Sequence, residues 1–283
     1  MSKIKIAFIT PTNHLGFFAS QSDIHMSLAH LVLDDQRYCD FYRGEQERGK
    51  FLIMDNSAFE LEEQGRGVSV DLIMEAAKKV NADEIVVPDI LFNKDDTISS
   101  AKDFIKYVKK TFPEMIGNVK FMAVPQANNK DDWWDCYNSL MDMKDINTIG
   151  LSKLSIPESF WGNHYEDFNC LKSRMHVVAS MIADNNTPDT RGKETHLLGS
   201  DNGGPLELWF YQHAYQAQQW IRSNDTSMPF LYGMHESVID EHRRTVDDII
   251  MEKLNFNIPL LISTEQWNAI NKNMRIWRYL HVH

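Results

Sequence analysis

The sequence has few cysteines, and they are too widely spaced for a disulfide framework or a zinc site. Its 283 residues include 3 cysteines, Cys39, Cys136 and Cys170. An odd number at these spacings matches neither paired disulfides nor the closely spaced cysteines of zinc motifs, so we expect reduced thiols that pack in the interior. The 11 histidines lack the His-Glu-x-x-His spacing of zinc enzymes. We therefore expect no metal and no other cofactor.

Long apolar runs are also missing. No stretch is apolar for the roughly 18 residues that a membrane-spanning helix needs. Residues 1–10 have a basic start, but their apolar part is too short and too interrupted for a secretory signal, and they read better as a first strand. We expect no membrane contact and a cytoplasmic location.

Positive charge is scarce, since the formal net charge is -11. Such a balance ordinarily counts against a nucleic-acid partner, because neutralisation of phosphates by lysine and arginine supplies much of the affinity. The distribution of charge matters more than its sum, and residues 273–279 are basic and aromatic. The composition therefore leaves a nucleic-acid partner open.

What the sequence does contain is a set of short apolar runs, each closed by a polar or small residue. The run that begins at Lys50 closes at Asp55, and later runs close at Asp89, at Gln126 and at residues 199–201. In barrels and open α/β sheets, the carboxyl ends of parallel strands carry the chemistry. These polar residues therefore predict one active-site rim.

Segments with helical spacing alternate with these runs, which is typical of a parallel sheet with helical crossovers. The predicted strands cover 1–10, 50–55, 84–89, 120–125, 147–151, 195–199 and 229–233, the predicted helices cover 22–35, 70–80, 97–112, 131–143, 166–183 and 206–221, and 38–49 and 60–67 are predicted loops. A chain of this length fits one barrel. We predict an α/β fold, a (β/α)8 TIM-like barrel with some irregularity. It forms a single domain over 1–283, with the barrel in about 3–235 and a C-terminal helical extension in about 236–283.

Three carboxylates, Asp55, Asp89 and Asp225, stand out by position. One use of such a set is glycosidic-bond chemistry, in which one carboxylate attacks an anomeric carbon to form a covalent sugar ester and another moves the proton. A third can accept hydrogen bonds from the N–H donors of a purine-like base. The alternative for each residue taken singly is that it caps the helix after its strand.

Five segments, in order, resemble those of tRNA-guanine transglycosylases. Residues 54–59 are similar to that family's Asp-Ser-Gly-Gly-Phe segment, 82–89 to its Gly-Ala-Asp strand ending in a base-binding Asp, 121–126 to the strand ending Val-Gln-Gly-Gly, 148–151 to Ile-Gly-Gly-Leu and 196–199 to Tyr-Leu-Met-Gly. The order and approximate spacing agree over about 50–233 of the chain.

The resemblance implies a (β/α)8 barrel that exchanges guanine in a nucleotide for a 7-deazaguanine. Asp55 would be the general acid/base. Asp225 would be the nucleophile, with Asp201 as the competitor for that role. The substrate-binding residues that the resemblance implies are Asp89, Gln126, Gly150, Leu151, Asn56 and Ser57.

Departures from the family favour DNA over tRNA as the substrate. The zinc-binding Cys-x-Cys-x-x-Cys and distant His have no counterpart, and the glycine pairs after Asp55 and Gln126 are replaced. The pattern looks more like the short, divergent relatives associated with bacteriophages, which insert 7-deazaguanines into DNA. We therefore expect DNA and a free 7-deazaguanine base as partners, and the host cytoplasm as the location if the gene is of phage origin.

Two alternatives stay open. A nucleoside hydrolase or deoxyribosyltransferase acting on free nucleosides needs the same carboxylates but no nucleic-acid groove, which suits the acidic net charge. A non-catalytic nucleobase-binding barrel suits the missing glycine pairs.

Overall fold

Eight parallel strands surround the centre of the molecule, and helices alternate with them around the outside. The structure is a computed structural model that describes residues 4–63, 69–162, 167–200, 204–213, 217–240 and 253–279. The strands form a nearly closed barrel, and further helices follow the last strand. The predicted (β/α)8 TIM-like barrel is confirmed.

The strands of the barrel are short. They are β1 Lys5–Phe8, β2 His25–Leu28, β3 Leu52–Asp55, β4 Glu84–Val86, β5 Lys120–Ala123, β6 Thr148–Ser152, β7 Glu194–Leu198 and β8 Ile221–Thr226. They pair in the order β1-β8-β7-β6-β5-β4-β3-β2. Between β1 and β2 isolated hydrogen bonds replace a ladder: Phe8 N–H donates to Ser22 Oγ at 2.8 Å, and Asp23 N–H donates to the Ile6 carbonyl at 2.9 Å. These bonds nearly close the barrel.

The described helices connect the strands on the outside of the barrel. They are α1 Ala29–Asp34, α2 Gln36–Glu47, α3 Ala58–Glu63, α4 Val70–Val80, α5 Lys94–Thr111, α6 Lys130–Met141, α7 Ser155–Trp161, α8 Asp167–Ala183, α9 Gly204–His213, α10 Ala217–Trp220, α11 Met228–Met234 and α12 Thr264–Tyr279. Helices α11 and α12 cross at Gly233, where an added Cβ would lie 2.3 Å from Ile270 Cγ1. None of the described helices is long and apolar enough to span a membrane.

The core has two layers, because a barrel strand buries both of its faces. Outward residues such as Ile149, Leu151 and Leu197 pack under the helices. A smaller cluster fills the inside of the barrel, and it consists of Ala7, Ile24, Met26, Ile53, Val86, Met122 and Val124.

Charged side chains occupy the amino-terminal end of the barrel interior. Arg222 pairs with Glu84 at 2.5 Å and with Glu194 at 2.8 Å, and Lys120 also reaches Glu194 at 2.7 Å. The Phe51 ring lies 5.0 Å from the Arg222 guanidinium. This ion network fills the amino-terminal end of the barrel interior. Barrel enzymes have their active sites at the opposite, carboxyl-terminal end, which is called the mouth below.

Several element predictions are wrong in detail. Residues 22–35 form strand β2 followed directly by α1 rather than one helix, and the predicted loop 38–49 is largely helix α2. Residues 229–233, predicted to be a strand, lie in helix α11. The eighth strand is instead β8, which ends at Thr226, two residues before α11 begins. Of the predicted loop 60–67, the first part belongs to helix α3 and residues 64–67 lie outside the described residues.

Candidate active site

Asp55 ends strand β3 and faces the mouth of the barrel. Its Oδ2 accepts a hydrogen bond from the Ser57 N–H at 2.9 Å. Ser57 has a φ of 60°, a left-handed conformation that is uncommon for residues other than glycine. This turn reverses the chain directly after the strand and starts helix α3. The carboxylate is thus held by its own loop, as expected for a residue at a strand-to-helix junction.

Four acidic side chains act on one another at this mouth. Burial raises the pKa of Asp55 well above its usual range, and the negative charges of Glu60, Asp225 and Asp89 raise it further, against the opposing Ser57 N–H bond. Burial also raises the pKa of Glu60, and the charge of Asp225 adds to that rise, whereas Lys253 lowers it. The cluster therefore favours a proton on the Asp55–Glu60 pair.

Asp225 reaches the same mouth from strand β8, next to Ala7 of β1 in the sheet. Its Oδ1 lies 3.1 Å from His196 Nε2 and accepts the Gly199 N–H at 2.8 Å. The side chain is 14% exposed, so it faces the opening while being fixed by two contacts. The structure thus brings Asp225 close enough to Asp55 for its charge to raise the pKa of Asp55.

Asp89, Gln126 and Asn56 form a second, adjoining group. Asp89 Oδ1 accepts from Asn56 Nδ2 at 2.7 Å, and Asp89 Oδ2 accepts from Gln126 Nε2 at 2.5 Å. Gln126 Oε1 in turn accepts the Phe92 N–H at 3.3 Å. Asp89, Gln126 and Asn56 are all buried. Asp89 follows β4 and Gln126 follows β5, so neighbouring strands deliver both to one side of the mouth.

Gly150 and Leu151 lie side by side in β6 but face opposite ways. A Cβ on Gly150 would lie only 2.6 Å from Leu198 Cδ1. Glycine at this position therefore leaves room for the Leu198 side chain inside the barrel. Leu151 faces the helix layer, and its carbonyl accepts from Arg174 Nη1 at 3.1 Å. The same guanidinium also donates to the Gly199 carbonyl at 2.9 Å, which ties β6 to the loop that holds Asp225.

Two residues of this site were missed in the sequence. The sequence predicts a loop at Glu60, although its position about one helical turn after the end of β3 puts it near Asp55. His196 was read only as part of a strand. Glu194, His196 and Leu198 lie two residues apart along β7, so they share one face of the strand. Glu194 belongs to the ion network inside the barrel, which shows that this face points inward.

Asp201, the alternative nucleophile, lies outside the described residues. Within the described part of the chain, no group of three His, Cys, Asp or Glu side chains is arranged to hold a metal ion. No known family model matches the chain, and no curated protein matches it either.

The arrangement supplies two different carboxylates to one opening. The carboxyl group of Asp55 is surrounded by other acids and favours a proton, whereas Oδ1 of Asp225 accepts the Gly199 N–H and lies 3.1 Å from His196 Nε2. Two carboxylates in different environments are an arrangement that can combine a proton donor with a nucleophile in one site.

Proposed function

We propose that the chain is a base-exchange transglycosylase that replaces guanine in nucleic acid, DNA in preference to tRNA, with a 7-deazaguanine through a covalent aspartyl–sugar intermediate. The observation that carries this proposal is the meeting of Asp55 and Asp225 at one mouth, in different environments. Strands β3 and β8 deliver them from distant parts of the sequence.

In the first half-reaction Asp225 attacks the anomeric carbon of the target nucleotide. An Asp225 O–C1′ bond forms while the bond from C1′ to the guanine nitrogen breaks, and its electron pair leaves with the base. Asp55 donates the proton that neutralises the departing guanine. The raised pKa of Asp55 suits this role, since an ordinary aspartate is almost fully ionised at neutral pH.

The second half-reaction reverses these steps with a 7-deazaguanine. Asp55, now ionised, takes the proton from the incoming base, which attacks C1′ and releases Asp225. One site serves both halves, so the kinetics are ping-pong. The released guanine leaves before the second base binds.

Asp89 and Gln126 supply groups that match guanine and its 7-deaza analogue. A carboxylate accepts from the N–H donors on the N1–C2 edge, and an amide N–H donates to O6. Asp89 already accepts from Asn56 and Gln126, and the base replaces the Gln126 amide as a donor to this carboxylate. Base binding therefore requires Gln126 to turn its N–H towards O6, while Asn56 keeps Asp89 in place.

The backbone at Ser57 has a conformation that glycine adopts readily. Ser57 stands at the first glycine of the family's Asp-Ser-Gly-Gly-Phe segment, and its φ of 60° is one that glycine adopts without strain. The loss of the glycine therefore need not mean the loss of the turn that holds Asp55.

A second candidate is an enzyme that acts on free nucleosides. Asp55, Glu60, Asp89 and Asp225 crowd negative charge at the mouth, and the net charge is -11, so the site itself offers little attraction for a phosphate backbone. A nucleic-acid target must also be turned out of its stack to reach the carboxylates. A free nucleoside meets neither obstacle.

Incorporation of labelled guanine separates these functions. The protein is incubated with radiolabelled guanine and, in parallel, a guanine-containing DNA oligonucleotide, a tRNA or free deoxyguanosine. We expect label in the DNA, with excess unlabelled 7-deazaguanine suppressing it.

Asp89→Asn should raise the KM for guanine about 10- to 100-fold, because a charged hydrogen-bond partner of the base is lost.

The matched control is Asp103→Asn, which removes one charge from an exposed position of helix α5 and should leave the KM unchanged. Label in deoxyguanosine but in neither polymer would establish the nucleoside enzyme instead. No label in any acceptor would leave a nucleobase-binding barrel without turnover.

A further inference from the structure

A chain of polar side chains runs through the barrel from its charged bottom to Asp225. His196 is fully buried on β7, and a register irregularity between β7 and β8 places it opposite Ser223. His196 Nδ1 lies 2.8 Å from Ser223 Oγ, and its Nε2 lies 3.1 Å from Asp225 Oδ1. Both ring nitrogens are therefore engaged.

The direction of these hydrogen bonds is set at both ends, because arginine can only donate and the carboxylate of Asp225 can only accept. Arg222 Nε donates to Ser223 Oγ at 3.1 Å, and arginine has no acceptor. Because the Asp225 carboxylate needs a donor at Nε2, a neutral His196 ring accepts at Nδ1, where Ser223 donates its hydroxyl hydrogen. With Nδ1 as acceptor, the imidazole hydrogen sits on Nε2 and points at Asp225.

The guanidinium of Arg222 is held in place by two carboxylates. Its two terminal nitrogens bond Glu84 and Glu194 in the ion network at the bottom of the barrel. Glu84 is fully buried and also accepts from the Thr148 hydroxyl. A buried network of this kind is rigid when every member has a partner.

We propose that Arg222, Ser223 and His196 form an interior relay that fixes the Nε2–H tautomer of His196 and so orients Asp225 for attack. This inference rests on the proposed function for the role of Asp225. His196 and the Gly199 N–H both bind Oδ1, which leaves Oδ2 as the attacking oxygen. His196 is a positioning residue, since it acts through Asp225.

The relay matters most once the ester has formed. In the aspartyl–sugar intermediate Oδ2 carries the sugar and Oδ1 is the ester carbonyl, which still accepts from His196 Nε2–H and Gly199 N–H. When the incoming base breaks the Oδ2–C1′ bond, the electron pair returns to the carboxylate, and the same two donors stabilise the charge. The opposite tautomer would set a lone pair of Nε2 against Oδ1.

The tautomer is measured directly by two-bond 1H–15N NMR of the histidine rings, with the His196 signals assigned from their loss in His196→Gln. We expect the Nε2–H pattern in the wild type and its partial loss in Ser223→Ala.

In guanine exchange, Ser223→Ala should lower kcat about 10- to 100-fold, because the reacting carboxylate is misplaced, and should leave the KM for guanine unchanged.

Two further variants separate positioning from packing. Glutamine at position 196 keeps an N–H donor, so His196→Gln should retain more kcat than His196→Leu. Ser27→Ala is the matched control, because Ser27 is an equally buried barrel serine whose Oγ reaches the Ile53 carbonyl rather than the relay. It should change neither tautomer nor kcat.

The relay and the proposed function fail in different ways. An Nδ1–H pattern at His196, or an Nε2–H pattern that Ser223→Ala leaves intact, overturns the relay even if guanine exchange is observed. The expected tautomer, and its loss in Ser223→Ala, in a wild-type protein that exchanges no base supports the relay and overturns the proposed function.

Discussion

At the scale of single residues, Asp55 has the most unusual environment in the site. Burial, followed by the charges of Glu60, Asp225 and Asp89, raises its pKa. An aspartate whose pKa is higher in the folded protein binds more protons there than in the unfolded chain. The contribution of Asp55 to stability is therefore most favourable in acid and declines as the pH rises above about 4.

Asp55→Asn should make the protein more stable at neutral pH. The amide keeps an acceptor for the Ser57 N–H and removes both the charge and the cost of protonating it. We expect the free energy of unfolding to rise at pH 7, by an amount within the about 0.5 to 3 kcal/mol that single substitutions commonly produce. Urea unfolding at pH 7 and pH 4 measures this difference.

The gain should shrink towards zero at pH 4, where wild-type Asp55 is protonated in the folded state and partly so in the unfolded chain. Asp103→Asn, at an exposed position, should show no such pH-dependent gain. A loss of stability in Asp55→Asn at pH 7 would mean that the carboxylate is stabilised by its surroundings, which contradicts the acid role.

At the scale of elements, helices α8 and α9 support the mouth from outside the barrel. Arg174 on α8 is fully buried, and its guanidinium bonds Glu207 on α9 through Nε at 2.8 Å and Nη2 at 2.5 Å. Its Nη1 donates to the Leu151, Leu198 and Gly199 carbonyls. One side chain thus joins two helices to the ends of β6 and β7, and Gly199 binds Asp225.

Arg174→Met should destabilise the protein by about 3 to 5 kcal/mol, because Glu207 would remain as a buried charge without its cation. Adding Glu207→Gln should recover part of that loss, so the double variant should be more stable than the sum of the single effects predicts. Denaturant unfolding of the single and double variants measures the coupling.

The comparison is Arg43→Met, which breaks the Arg43–Asp40 pair, whose side chains are 43% and 50% exposed. Its cost should stay below about 1 kcal/mol. Equal costs for Arg43→Met and Arg174→Met would show that the buried pair does not hold these elements together.

The elements that could be predicted from sequence are those whose apolar pattern reflects their burial. Strands β3 to β7 and helices α4 to α6 and α8 are of this kind. Strand β8, whose residues 221–226 read Ile-Arg-Ser-Asn-Asp-Thr, is mostly polar because its inward residues build the relay and the site. No hydrophobicity pattern identifies such a strand, although Asp225 itself was identified through the family resemblance.

Two other misses have different physical causes. Strand β2 runs into α1 without a loop, so apolar residues of a strand and a helix together imitate helical spacing over 22–35. Helix α2 is polar overall but buries Tyr38 and Tyr42, four residues apart on one face. Asp35 caps it by accepting the Arg37 N–H at 2.9 Å, and these two signals together predict a helix.

At the scale of the whole molecule, the two ends of the barrel interior carry different sets of charges. The lower interior pairs Arg222 and Lys120 with Glu84 and Glu194, whereas the mouth gathers acids with few cations. In the proposed reaction, the acids at the mouth are the groups that exchange protons with a substrate. The His196 ring joins the two regions, so polarity is continuous along the barrel axis.

Covalent trapping tests the central claim most directly. The protein is incubated with an end-labelled, guanine-containing DNA oligonucleotide without added base, denatured, separated on a gel and mapped by mass spectrometry. The account predicts a protein–DNA adduct on Asp225 that is absent in Asp225→Asn and present in Asp103→Asn. An adduct that persists in Asp225→Asn, or that maps to Asp201, Asp55 or Glu60, would contradict it.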